Sequence, residues 1–153
     1  MATTDTNVDW ADHTLARLTA GGYRSSAPRA EIIEVLAGLG CSTSARDITA
    51  ELQRRGSTTG SASVYRTLEL LERLKLVQRV DVGEGLARYE PALPGGDHHH
   101  HLVCDRCGEV SAFEDDALEA AITRLSRRLE FAIDAHDVTL RGECPGCRRA
   151  GSA

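Results

Sequence analysis

Residues 61–90 read SASVYRTLELLERLKLVQRVDVGEGLARYE, and their patterning decides the fold of the first half of the chain. Val64, Leu68, Leu71 and Leu74 recur at helical spacing, while Tyr65, Arg66, Glu69 and Arg73 point away from them. Two short extended runs follow, 77–82 and 86–90, around Gly83-Glu84-Gly85, which predicts a β-hairpin. A helix that feeds a hairpin is the second half of a winged helix-turn-helix.

Moving upstream, Ser44 and Asp47 have the spacing of a capping box that opens a third helix. That helix turns Ile48 and Leu52 inward and stops at Gly56. Ser26 is the expected N-cap of a second helix, with Pro28 in its first turn and Ile32, Ile33, Leu36 and Leu39 as its apolar stripe. Trp10, Ala11, Leu15 and Leu18 predict a leading helix that ends at Gly21-Gly22.

Downstream, Pro91-Ala92-Leu93-Pro94-Gly95-Gly96 can continue neither a helix nor a central strand, and is the expected linker between 1–90 and 97–153. Beyond it, 99–104 and 109–113 read as strands and 115–129 as a helix with acids in its first turn. His136, Val138 and Leu140 alternate with polar neighbours as a strand does. The expected class is therefore α+β: a winged helix-turn-helix, then a small α+β domain with a three-stranded antiparallel sheet.

The chain has 153 residues, 41% hydrophobic and 27% charged, enough apolar mass for a core and too ordered a pattern for wholesale disorder. It contains no run of the length a membrane span needs, and residues 1–9 lack a signal-peptide core, so a cytoplasmic location is expected. Net charge is −5, yet residues 15–80 carry ten Arg and Lys against six Asp and Glu. A mildly basic half before an acidic one implies two modules with different partners.

Four of the five cysteines form Cys104-x-x-Cys107 and Cys144-x-x-Cys147. Paired knuckles beside strands suit one closed, tetrahedral zinc site better than redox or buried free thiols. His98-His99-His100-His101 is the second signal. On a strand, His98 and His100 face one side and His99 and His101 the other, which supplies two half-sites for metal. Glu119, His136 and Glu90 lie on elements expected nearby, though each taken singly is more often a solvated polar residue. Ser61, Ser63, Tyr65 and Arg66 crowd the start of the fourth helix, where hydroxyls and a guanidinium can meet phosphates and base edges in a major groove. The same residues suit a solvated surface helix, and patterning does not choose between the two.

Taken together, Ser63-Val64-Tyr65-Arg66-Thr67-Leu68, Arg88-Tyr89-Glu90, His98 through Gly108 and the second Cys pair resemble the ferric uptake regulator family of bacterial metal-sensing transcriptional regulators. The resemblance runs from about Leu15 to Cys147. It implies a metal-dependent repressor, not an enzyme, that binds a double-stranded operator, expected to be an A/T-rich inverted repeat, as a homodimer. Cys104, Cys107, Cys144 and Cys147 would hold structural Zn2+; His98, His100, Glu119 and His136 a site within the dimerisation domain; Glu90, His99 and His101 a regulatory site at the hinge. Tyr65 and Arg66 would contact bases, and Arg24 an A/T-rich minor groove.

Iron-sensing members often place a histidine where this chain has Gly40-Cys41-Ser42-Thr43, and zinc-sensing members a cysteine where it has Pro91-Ala92. Fe2+ or Zn2+ is the expected corepressor, with Ni2+ and Mn2+ open. Two other classes fit parts of the pattern. One is a zinc hydrolase using the His/Glu cluster, although no His-Glu-x-x-His helix is present; the other is a zinc-ribbon module that contacts protein.

Overall fold

The computed structural model describes residues 3–39, 42–83, 85–92 and 99–151. It contains two compact units, Met1–Asp97 and His98–Ala153. Cys41 and His98, and residues 93–96 of the expected linker, lie outside the described residues.

The first unit runs α1 (Thr3–Ala20), α2 (Ala27–Leu39), β1 (Thr43–Ser44), α3 (Ala45–Arg54), α4 (Ser61–Arg73), β2 (Val77–Gly83) and β3 (Leu86–Pro91). Its core takes Trp10 and Leu18 from α1, Ile32, Ile33 and Leu36 from α2, Ile48 and Leu52 from α3, and Val64, Leu68 and Leu71 from α4. These are the apolar positions that the helical periodicity selects. Trp10 carries the one buried polar group of that set, and its indole Nε1 donates to the Leu76 carbonyl at 2.9 Å, fastening α1 to the start of the wing. The wing is a three-stranded antiparallel sheet in the order β1-β3-β2, turned at Gly85 with φ +74°. β3 extends through Pro91, one residue into the expected linker; a proline is tolerated at a strand end, where no ladder donor is required.

Ser44 caps α3 as the spacing predicts. Its hydroxyl accepts from the Asp47 amide at 3.1 Å, and the Asp47 carboxylate accepts from the Ser44 amide at 3.0 Å. Hydrogen bonding from Ser44 holds the Asp47 carboxyl below its ordinary range. A depressed carboxyl stabilises the fold above its unfolded value and loses that effect as pH falls through its folded one. Ser44→Ala is thus expected to cost about 1 kcal/mol at neutral pH, with the gap from the parent narrowing below about pH 4. Urea midpoints at the two pH values check it.

The second unit runs β4 (His100–Cys104), β5 (Val110–Phe113), α5 (Asp116–Leu129), β6 (Thr139–Gly142) and α6 (Pro145–Ala150). Asp115 caps α5, its carboxylate accepting from the Leu118 amide at 2.8 Å. The three strands are ordered β5-β4-β6. β4 pairs with β5 antiparallel but with β6 parallel, so this sheet is mixed and not the antiparallel one expected. The chain order explains the difference: β5 reverses the direction of β4 and β6 reverses it again, while α5 and the irregular segment after it carry the chain past β4 to its other edge. His136 and Val138 fall in that irregular segment, and the strand starts only at Thr139.

Little of this unit is inside. No α5 residue is buried, and Leu102, Leu125, Leu129, Phe131 and Leu140 are all exposed, Phe131 at 68%. No helix among the described residues is long and apolar enough to cross a membrane.

Candidate metal centres and nucleic-acid surface

The four cysteines converge because two turns deliver them. β4 ends at Cys104, and the chain reverses so that the Gly108 amide donates to the Cys104 carbonyl at 2.9 Å, with Gly108 at φ +73°. The parallel neighbour β6 brings the second pair alongside: the Asp105 amide donates to the Gly142 carbonyl at 2.8 Å. Cys144 then caps α6, its sulfur accepting from the Cys147 amide at 3.4 Å.

All four sulfurs lie within 4.8 Å of one another, and Cys107 and Cys144 are 3.9 Å apart. Tetrahedral zinc with Zn–S of about 2.3 Å sets neighbouring sulfurs about 3.8 Å apart, so both donor type and spacing fit that ion. The thiols are graded. Amide donation, first from Cys144 and then from Cys107, lowers the Cys104 thiol to about 6. Hydrogen bonding to the sulfurs of Cys107 and Cys144 pushes the Cys147 thiol up to about 12. One thiolate forms readily here, whereas four together need a cation.

Spacing did not single out Arg106. Its guanidinium donates to the Cys147 carbonyl at 3.1 Å and lies 3.8 Å from Glu143, bracing one knuckle against the other. A partner 41 positions away leaves no periodic trace in the sequence.

A second cluster lies on the other side of β4 from His101. His100 is buried, with Nε2 2.7 Å from Glu119 Oε1, and His136 Nε2 is 3.1 Å from Glu119 Oε2. The two imidazoles are 5.3 Å apart, and Phe113 packs against His100 at 5.4 Å. One donor atom from each of His100, Glu119 and His136 falls within 4.8 Å of the others. Two imidazoles and a carboxylate form a harder set than four thiolates, suited to zinc or another divalent transition ion. α5 places Glu119 there in its first turn, and the irregular segment bends His136 in.

β4 starts at His100, so His99 precedes the strand, yet its ring meets that of His101 edge to face with centroids 5.2 Å apart. Glu90 is buried near the end of β3, in the first unit.

Along α4, Val64, Thr67, Leu68 and Leu71 are buried, while Ser61, Tyr65 and Arg66 are exposed and Ser63 is half-buried. Arg66 Nη2 lies 3.4 Å from Ser63 Oγ, within the exposed face. Arg24 is exposed in the loop before α2.

Known proteins resemble this chain in sequence and fold. The profile described as the Ferric uptake regulator family covers residues 20–141. The ferric uptake regulation protein of Bacillus subtilis (strain 168) is 41% identical over 105 residues, spanning 68% of this chain and 70% of the relative. That of Synechococcus elongatus is 32% identical over 137 residues, 88% of this chain and 92% of the relative. Among solved structures, the Helicobacter pylori ferric uptake regulator superposes with a TM-score of 0.83 at 25% identity over 97% of each chain. Three functional metal binding sites are described for that protein.

Proposed function

Because the chain belongs to the ferric uptake regulator family, it is a metal-responsive transcriptional regulator, and we propose that it represses metal-uptake or metal-homeostasis genes with iron or zinc as corepressor. The hydrolase and interaction-module readings are not favoured by that membership. The observation that carries the proposal is the presence of two chemically different donor sets in one small unit, four thiols and a His/Glu cluster. Four thiolates suit structural zinc and a His/Glu set suits a further divalent ion, so the unit can take up more than one metal.

In this reading, Cys104, Cys107, Cys144 and Cys147 hold structural zinc, which cross-links the two knuckles. His100, Glu119 and His136, with His98, hold a second ion within the dimerisation domain, 97–153. Glu90, His99 and His101 are the regulatory ligands. The chain acts in the cytoplasm as a homodimer. A second copy of the chain covers Leu102, Leu125, Leu129, Phe131 and Leu140, large apolar side chains that this unit by itself leaves exposed. Two-fold symmetry then places two α4 helices on an inverted-repeat operator. Ser61, Ser63, Tyr65 and Arg66 meet bases and phosphates, and Arg24 meets an A/T-rich minor groove.

Gel shifts with and without added metal test this. Arg66→Ala is expected to lose about 1–3 kcal/mol of specific binding, with relaxed preference at one base position. Arg24→Ala is expected to weaken binding mainly to operators with A/T-rich flanks. Metal-independent binding, or an unchanged operator profile in both variants, overturns the assignment.

A further inference from the structure

α4 begins at Ser61, and its cap residue Gly60 has no side chain to accept the free amides of the first turn. The start of this helix is therefore set by the loop before it. α3 ends at Arg54 with Arg55 as its cap, and after Gly56, φ +76°, the Ser57 amide closes back onto the Leu52 carbonyl at 3.0 Å. From there the loop is gripped by a carboxylate on another helix. Ser57 Oγ donates to Glu31 Oε2 at 2.5 Å and accepts from the Thr59 amide at 3.1 Å. Thr59 Oγ1 donates to the same Glu31 oxygen at 3.0 Å. Hydroxyl-to-carboxylate bonds are among the stronger side-chain bonds, and these two hold the Glu31 carboxyl below its ordinary range, Ser57 contributing more. The backbone at Glu31 is anchored, because Ile32 and Ile33 beside it are fully buried in the core.

We infer that Glu31 is a positioning residue for sequence recognition: through Ser57 and Thr59 it fixes where α4 starts and how its exposed face is presented. The inference rests on the reading of α4 as the DNA-contacting helix. Tyr65 and Arg66 lie about one turn inside α4, so movement of the helix start is carried directly into their positions. Base-edge hydrogen bonds demand close geometry, whereas phosphate contacts by flexible basic side chains tolerate displacement. Loosening the tether should therefore cost discrimination between sequences more than affinity for DNA in general. A purely stabilising role for the same hydrogen bonds would lower the melting temperature and leave discrimination intact.

The test uses the full-length, metal-loaded protein and two duplexes: the tightest binder selected from a random-sequence pool, and a scrambled duplex of the same composition. Glu31→Ala is expected to lower the ratio of the two affinities about tenfold, with affinity for the scrambled duplex and its salt dependence unchanged. Glu31→Gln keeps an acceptor for both hydroxyls and should restore most of the ratio. In a Ser57→Ala/Thr59→Val background, Glu31→Ala should have no further effect. Should Glu31→Ala not fold, that double variant carries the same expectation by itself. The inference is overturned if Arg66→Ala lowers the ratio while the tether variants do not, or if Glu31→Ala acts equally in the double background. If Arg66→Ala leaves the ratio unchanged, the reading of α4 falls, and the inference with it.

Discussion

Cys104→Ser and Cys147→Ser are each expected to lose tightly held zinc and to unfold the second unit. Structural zinc sites contribute about 10–16 kcal/mol of apparent binding energy at neutral pH, far beyond what this unit's interior can replace. Among its described residues only His100, His101, Val103 and Cys104 are buried. Zinc analysis per chain, together with circular dichroism of α5, checks the loss. Zinc affinity should also fall with acid, because binding displaces protons, among them that of the Cys147 thiol, which is pushed up to about 12. Serine variants that keep one tightly held zinc per chain and a normal dimer would falsify the assignment.

The second large effect concerns the alternation along β4. His101→Ala is expected to abolish metal-activated DNA binding while the dimer persists, since His101 belongs to the proposed regulatory set. His100→Ala breaks the bond to Glu119 and the pairing with His136. Its main cost should be thermal stability and metal content, with a smaller loss of activation. Operator affinity against free metal, with dimer mass measured alongside, separates the two. Coincident curves for the two variants would mean that the strand faces do not divide the labour.

How much of this was written in the sequence depends on what periodicity can encode. Helices α2 to α4, the β2–β3 hairpin of the wing and the Ser44 cap follow from apolar spacing and local hydrogen bonding, and both cysteine pairs announce themselves; the wing's third strand, Thr43–Ser44, is too short to show any alternation. α1, however, begins at Thr3, well before the apolar stripe signals it. The direction of β6 was also hidden, because alternation reports which face a residue takes and not which way its strand runs. His136 was named as a ligand on the supposition of a strand; it reaches Glu119 from an irregular segment instead. Glu31, Ser57 and Arg106 were missed for one reason. The bonds from Glu31 to Ser57 and Thr59, and from Arg106 to Cys147, span 26 or more positions, and a lone polar pair at that range has no signature.

The exposed apolar side chains of the second unit have a further consequence, one of dosage. When pairing is part of the folded state, stability obeys mass action. Tenfold dilution weakens a dimer by about 1.4 kcal/mol. Copy number and metal then bear on one equilibrium, so the metal level at which the regulator responds shifts with how many chains the cell contains. Metal titrations at nanomolar and micromolar protein should give different midpoints, and a gene controlled by this protein would read its abundance together with the ion.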